Sequence, residues 1–75
     1  MKADWDQIVI SSPEILGGTP VFKGTRVPVS SLLEHLESGI SLDEFLGDFP
    51  SVEKVSAIQF LKLVRESTMQ DLSAA

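Results

Sequence analysis

Residues 18–29 read Gly-Thr-Pro-Val-Phe-Lys-Gly-Thr-Arg-Val-Pro-Val, and this stretch decides the fold. Two short β-prone runs, Pro20–Phe22 and Arg26–Val29, flank a Lys-Gly-Thr connection. Because glycine adopts a positive φ without steric cost, a glycine between two such runs predicts a tight β-hairpin. Proline donates no backbone hydrogen bond, so Pro20 and Pro28 confine the two arms to sheet edges or strand ends.

The segment before the hairpin predicts a strand at Ile8-Val9-Ile10, followed by a short helical turn. Ser11 suits the cap of that turn, and Glu14 lies three residues later, as in a capping box. Within the hairpin, the hydroxyl of Thr25 is expected to close the turn.

Three amphipathic segments follow the hairpin. The first has Leu32, Leu33 and Leu36 at helical spacing, with Ser30 or Ser31 as its cap and Gly39 at its end. The second begins with a capping box formed by Ser41 and Glu44. It buries Leu42, Phe45, Leu46 and Phe49, and Pro50 stops it. Ser51 caps the third, which runs to about Ser67.

These elements predict a mainly α fold of one domain. Residues 8–29 form a strand, a turn and a β-hairpin, and residues 30–67 form a three-helix, homeodomain-like helix-turn-helix unit. Residues 68–75 form a flexible tail.

The chain has 75 residues, no cysteine and a formal net charge of −5. A domain of this size has a small core, which favours self-association as a further source of stability. The absence of cysteine excludes a disulfide scaffold, and no apolar run approaches the ~20 residues that cross a membrane. The sequence therefore predicts a cytoplasmic homodimer or higher oligomer without membrane contact.

The negative charge is concentrated in residues 30–50, which contain five carboxylates and no lysine or arginine. Because such a surface repels phosphates, contacts with nucleic acid would have to come from the hairpin or the third helix. The candidates for such contacts are Lys23, Arg26, Lys54, Gln59 and Lys62. The guanidinium of Arg26 suits a phosphate or a carboxylate, or alternatively a local ion pair with Glu14 or with an acid of the first helix.

The third helix carries more apolar residues than one core-facing side requires. One stripe consists of Ala57, Phe60, Leu61 and Val64, a second consists of Val52, Val55 and Ile58, and Leu63 lies outside both. The second stripe either covers the hairpin or meets another chain.

The glycines and prolines that bound these elements, together with Thr25 and Arg26, resemble those of the small bacterial proteins grouped as domain of unknown function 433. The matching positions are Gly18, Pro20, Gly24, Thr25, Arg26, Pro28, Gly39 and Pro50. The resemblance extends from about Ile8 to Val64 and implies a homeodomain-like helix-turn-helix domain. For several members it implies an antitoxin, which binds a PIN-like ribonuclease toxin encoded beside it.

The carboxy-terminal residues suit contact with such a partner. Met69 and Leu72 continue the helical spacing past Ser67, so the tail is expected either to extend the helix when it meets a groove or to have no role. The resemblance implies that Arg65, near this stripe, reaches the acidic metal site of a PIN-like ribonuclease. The predicted partner or oligomer interface comprises Val52, Val55, Ile58, Phe60, Leu63, Arg65, Met69 and Leu72.

The sequence predicts no catalytic residue, cofactor, metal site or small-molecule substrate. His35, the single histidine, falls beside Glu34 on the polar side of the first helix and is expected to be solvated. Two functions therefore remain open: an antitoxin-like module that binds a PIN-like toxin, and a helix-turn-helix regulator that binds DNA without a toxin partner.

Overall fold

The computed structural model describes the backbone of residues 2–73 and the side chains of residues 5–73. In chain order the elements are helix α1, Lys2–Ile8; strand β1, Val9–Ile10; a 3-10 turn, Leu16–Gly18; strand β2, Val21–Phe22; and helices α2, Val29–Glu37; α3, Leu42–Asp48; and α4, Lys54–Ser73. The predicted fold class is confirmed: the chain is mainly helical, with short antiparallel strands followed by three helices.

Helix α1 was not predicted. It ends at Ile8, so the strand predicted at residues 8–10 is confirmed only for Val9 and Ile10, and it packs against α4. The ring of Trp5 meets the ring of Phe60 edge-on, with centroids 5.9 Å apart, and Ile8 is buried. The signal for this helix was the spacing of Trp5 and Ile8, three residues apart, which places both side chains on one side of a single helical turn.

The two-stranded sheet pairs β1 with β2, not the two arms predicted from residues 18–29. The second predicted arm, Arg26–Val29, forms only one bridge, between Pro28 and Val21. The hydrogen bonds on either side of this bridge, Phe22 N–H to Val27 O at 3.0 Å and Val29 N–H to Pro20 O at 3.1 Å, need no donor from Pro28. The arm stops there because α2 begins at Val29.

The tight turn between the arms has the predicted chemistry. Gly24 has φ +81°, and the Thr25 N–H donates to the Phe22 carbonyl at 2.9 Å. The Thr25 hydroxyl also donates to that carbonyl, at 2.8 Å, and accepts from the Val27 N–H at 3.0 Å. The prediction that Thr25 closes the turn is confirmed.

The turn before β2 is organised by a different serine from the one predicted. Ser12 accepts from the Glu14 N–H at 3.3 Å, and its carbonyl accepts from the Ile15 N–H at 2.9 Å. Ser11 instead donates its hydroxyl proton to the Gly18 carbonyl. The hydroxyl of Ser11 therefore ties the two ends of the turn together and does not cap it.

Helix α2 has Pro28 as its N-cap, so the prediction of a cap at Ser30 or Ser31 was wrong. Proline is suited to this place because the first N–H groups of a helix have no partner within it. The end at Gly39 was correct. Gly39, at φ +85°, donates to the Leu36 carbonyl, and Ile40 donates to the His35 carbonyl, which is the Schellman pattern.

His35 is not a solvated residue, as was predicted. Its ring packs edge-on against Phe45 and Phe49, with centroids 5.2 and 5.6 Å away, and its Nδ1 lies 2.7 Å from the Ser31 carbonyl oxygen. Leu36, predicted to be buried, is exposed. Leu32 and Leu33 pack on the core as predicted, and His35 rather than Leu36 packs against α3.

Helix α3 begins with the predicted capping box. The Glu44 N–H donates to the Ser41 hydroxyl at 3.1 Å, and the Ser41 N–H donates to the Glu44 carboxylate at 3.2 Å. Phe49 caps the other end, directly before Pro50. All four apolar side chains predicted for this helix pack on the core, and Phe45 is fully buried.

Both ends of α4 differ from the predictions. The helix begins at Lys54, later than a cap at Ser51 would place it, because residues 50–52 form a turn in which the Val52 N–H donates to the Phe49 carbonyl at 3.0 Å. It continues past Ser67 to Ser73, so most of the predicted tail is helical. The last two tail residues lie outside the described part of the chain.

The core is centred on the ring of Phe22. This ring lies 5.5 Å from the ring of Phe60 on α4 and 6.4 Å from the ring of Phe45 on α3. Leu32 of α2 is also fully buried in this cluster. One side chain of β2 thus joins two helices in a single core.

Two glycines are expected to respond to alanine substitution with opposite signs. Gly24→Ala forces a Cβ into the left-handed region and lowers the free energy of unfolding by about 1–2 kcal/mol. Gly47→Ala lies within α3 at ordinary helical angles with open space around it, so it raises the free energy of unfolding by about 0.5–1 kcal/mol. Urea unfolding followed by circular dichroism measures both, and equal signs would contradict the turn and helix assignments.

Candidate protein-binding surface

Helix α4 has one side in the core. Ala57, Phe60 and Leu63 are buried, and Leu61 and Val64 are half-buried and pack against the same cluster. These residues recur every three or four positions, which places them along one side of a helix with 3.6 residues per turn.

Three residues predicted to form an interface belong to this core. Val52, Phe60 and Leu63 are 4%, 3% and 8% exposed, so none of them is available to a partner. Val52 lies in the turn before α4, and its side chain is part of the core cluster. Leu63 lies next to Ile8 of α1, a helix that the sequence analysis missed, and this explains why Leu63 fell outside both predicted stripes.

The opposite side of α4 is exposed and carries four large apolar residues. Val55, Ile58, Met69 and Leu72 are 56%, 42%, 52% and 68% exposed. The exposed cations Lys62 and Arg65 lie between the two apolar pairs. We call this set the outer stripe: Val55, Ile58, Lys62, Arg65, Met69 and Leu72.

The outer stripe is straight and narrow. Its members follow one another at intervals of 3, 4, 3, 4 and 3 residues. In an α-helix these intervals keep all six side chains within about 100° of the circumference and spread them over about 26 Å of its length. Five of its members were predicted to lie in the interface, whereas Lys62 was predicted to contact nucleic acid. The regular spacing becomes visible once both cations are counted.

The two cations of the outer stripe lack an ion pair within 4.0 Å among the side chains of residues 5–73. Glu66 follows Lys62 by one turn, whereas no acid lies three or four positions from Arg65 on the helix. The carboxylates of residues 30–50 belong instead to α2 and α3, where Asp48 lies 4.0 Å from His35. The outer stripe is therefore an apolar surface with a positive centre.

The structure distributes the residues proposed for nucleic-acid contact among different surroundings. Lys23 lines a cleft beside the start of α4 together with the acidic Glu53. Lys54 lies 3.7 Å from the Asp43 carboxylate. Gln59 and Lys62 line a second cleft, of about 260 Å³, between α1 and α4.

Arg26 is exposed, and the local ion pair that was the alternative to phosphate or carboxylate binding is not formed with any side chain in the described range 5–73. Neither Glu14 nor an acid of α2 is within 4.0 Å of its guanidinium. Its charge is therefore not used within the described part of the fold.

The described residues contain neither a metal site nor a membrane-spanning helix. No group of three or more acidic or histidine side chains among them is arranged to hold a metal ion. Across residues 2–73, every helix is too short or too polar to span a bilayer.

Comparison with known proteins gives a family without an assigned function. The family model described as protein of unknown function, DUF433, matches residues 9–62, which covers more than half of the chain. An uncharacterised protein of Sinorhizobium fredii, y4eO, is 49% identical over 47 residues. That match covers 63% of this chain and 21% of the relative, so the chain spans about a fifth of that protein's length. No solved structure matches the chain significantly.

The two sides of α4 are expected to differ in their contribution to stability. Leu63→Ala removes a buried side chain and lowers the free energy of unfolding by about 2–5 kcal/mol. Met69→Gln changes an exposed position to a residue of similar helix propensity, so its effect stays within about 0.5 kcal/mol. Urea unfolding measures both, and a loss of similar size in the two variants would contradict this assignment of sides.

Proposed function

The chain belongs to the DUF433 family of proteins of unknown function, and we propose that it acts as a cytoplasmic antitoxin that binds and neutralises a PIN-like ribonuclease. The observation that carries this proposal is the outer stripe of α4. A small domain rarely leaves four large apolar side chains exposed along one helix unless another molecule covers them.

The chemistry of the outer stripe supports a protein partner. Apolar side chains bury surface on binding, and Arg65 offers a planar group that binds a carboxylate through two hydrogen bonds. A PIN-like ribonuclease is expected to hold its metal with carboxylates, which match that group. Occupation of those carboxylates by a guanidinium would displace the ion that the ribonuclease needs.

The charge distribution favours a protein over DNA as the partner. The net charge is −5, and the five candidate nucleic-acid residues do not form one basic surface, since Lys54 lies beside Asp43 and Lys23 shares its cleft with Glu53. A DNA-binding surface normally concentrates its cations on one side. An acidic antitoxin is instead attracted to a basic ribonuclease that binds RNA.

We expect one of the reading frames beside the gene of this chain to encode a PIN-like protein, and the test is co-expression of the chain with that protein. We expect the two proteins to co-purify and the chain to prevent RNA cleavage by the purified ribonuclease. Failure both to co-purify and to inhibit would overturn the proposal. If the chain alone then retarded a DNA fragment of its own promoter in a gel-shift assay, the DNA-binding regulator would be favoured.

A truncation separates the role of α4's end from that of the fold. A chain that stops after Glu66 loses Met69 and Leu72 but keeps every buried residue described, the last of which is Leu63. We expect circular dichroism to show that the remaining helices stay folded. We also expect the truncated chain to inhibit the ribonuclease less strongly than the full chain does. The double variant Met69→Gln with Leu72→Gln is the matched control, because it keeps the chain length. Equal inhibition by all three chains would exclude this end from the interface.

A further inference from the structure

We infer that the outer stripe pairs side by side with a single helix of another protein, which places carboxylates opposite Lys62 and Arg65 and apolar residues opposite the two ends. This inference rests on the proposed function in one respect: it describes the part of the partner that docks. It adds that this part is a helix, that the helix lies along α4, and that carboxylates face both Lys62 and Arg65, whereas the proposed function specifies only a carboxylate partner for Arg65.

The shape of the stripe points to a helix. Alternating intervals of three and four residues are the spacing of the a and d positions of a coiled coil, with Val55, Lys62 and Met69 at a and the other three at d. A stripe restricted to a and d is narrower than the side a helix presents to a globular core. It suits one neighbouring helix that lies along it.

The flanks of the stripe confirm that it is narrow. On one edge lie Gln59 and Glu66, both exposed, and on the other lies Thr68, also exposed. Leu61, on that second edge, is half-buried and already packs on the core of this chain. A broad, flat partner surface would therefore meet polar residues on either side of the apolar line.

The cations decide what the partner carries. Lys62 and Arg65 interrupt the apolar line at its centre, where a partner helix with apolar residues would leave two charges without a counterion. Carboxylates at the two facing positions neutralise both. A charged residue at an a position is known to select the partner and the register of a coiled coil at some cost in stability.

A second copy of this chain does not meet that requirement. In a parallel pair Lys62 faces its own counterpart, and in an antiparallel pair centred on the stripe Lys62 faces Arg65, so either arrangement places like charges together. The acidic helix α3 of another copy spans only seven residues, or about 10 Å, which is too short for a stripe of about 26 Å.

The experiment uses two synthetic helical peptides of about three heptads each, identical except at two central positions. Both have apolar residues at the outer a and d positions, and the central a and d positions are Glu in one peptide and Lys in the other. Because the order apolar, charged, apolar reads the same in both directions, one peptide tests parallel and antiparallel pairing. Fluorescence anisotropy with the intact chain measures the dissociation constants.

We expect the Glu peptide to bind with a dissociation constant in the micromolar range, about tenfold or more tighter than the Lys peptide. The double variant K62E/R65E should reverse this preference, since both positions are exposed and the charges are then exchanged. Leu72→Gln should lower the affinity for both peptides by the same factor, because it removes apolar contact without changing the charges. Higher salt should reduce the difference between the peptides.

The inference is overturned if neither peptide binds, if both bind equally, or if K62E/R65E leaves the preference unchanged while its circular dichroism spectrum shows an intact fold. These results are distinct from failure of the proposed function. Binding of the Glu peptide without neutralisation of the ribonuclease would support the inference and assign the surface to another protein. Neutralisation without peptide binding would retain the antitoxin and refute the helical partner.

Discussion

The burial of one side chain, Phe22, is the interaction on which the rest of the structure depends. Its ring contacts Phe45 of α3 and Phe60 of α4, while its backbone forms the pairing with β1 and the turn at Gly24. A chain of 75 residues buries little surface, so a single aromatic ring that joins a strand to two helices carries an unusual share of the packing. The outer stripe of α4 is exposed because the helix directs its other side towards Phe22 and α1.

The sequence predicted those elements whose signals are local. The capping box of Ser41 and Glu44, the left-handed glycines at positions 24 and 39 and the stop before Pro50 depend on neighbouring residues alone, and all are present. The sequence did not reveal which strand pairs with β2, because register between distant strands is set by tertiary packing. It also placed the start of α4 two residues early, since Ser51, which suits a cap, lies in a turn instead.

The candidate surface was predictable in part. Val55, Ile58, Met69 and Leu72 were assigned to an interface from their spacing, and all four are exposed. Leu63 was assigned to the same interface because α1, which lies beside it, was not predicted. The position of His35 between Phe45 and Phe49 was equally hidden, since a histidine on a helix has no pattern that distinguishes a packed ring from a solvated one.

The reach of α4 beyond the core links recognition to the helix–coil equilibrium. From Arg65 to Ser73 every residue is exposed, so this end is held in helical form by propagation from the packed turns rather than by tertiary contact. Ser67 and Thr68 are poor helix formers, and local opening of this end is expected to cost far less than global unfolding. Any ligand that grips Met69 and Leu72 must order these turns, and its affinity therefore includes the free energy of that ordering. Residues that contact no ligand, such as Ser67 and Thr68, thus affect the strength of binding, because they determine how fully the helix that carries Met69 and Leu72 is formed before the ligand binds.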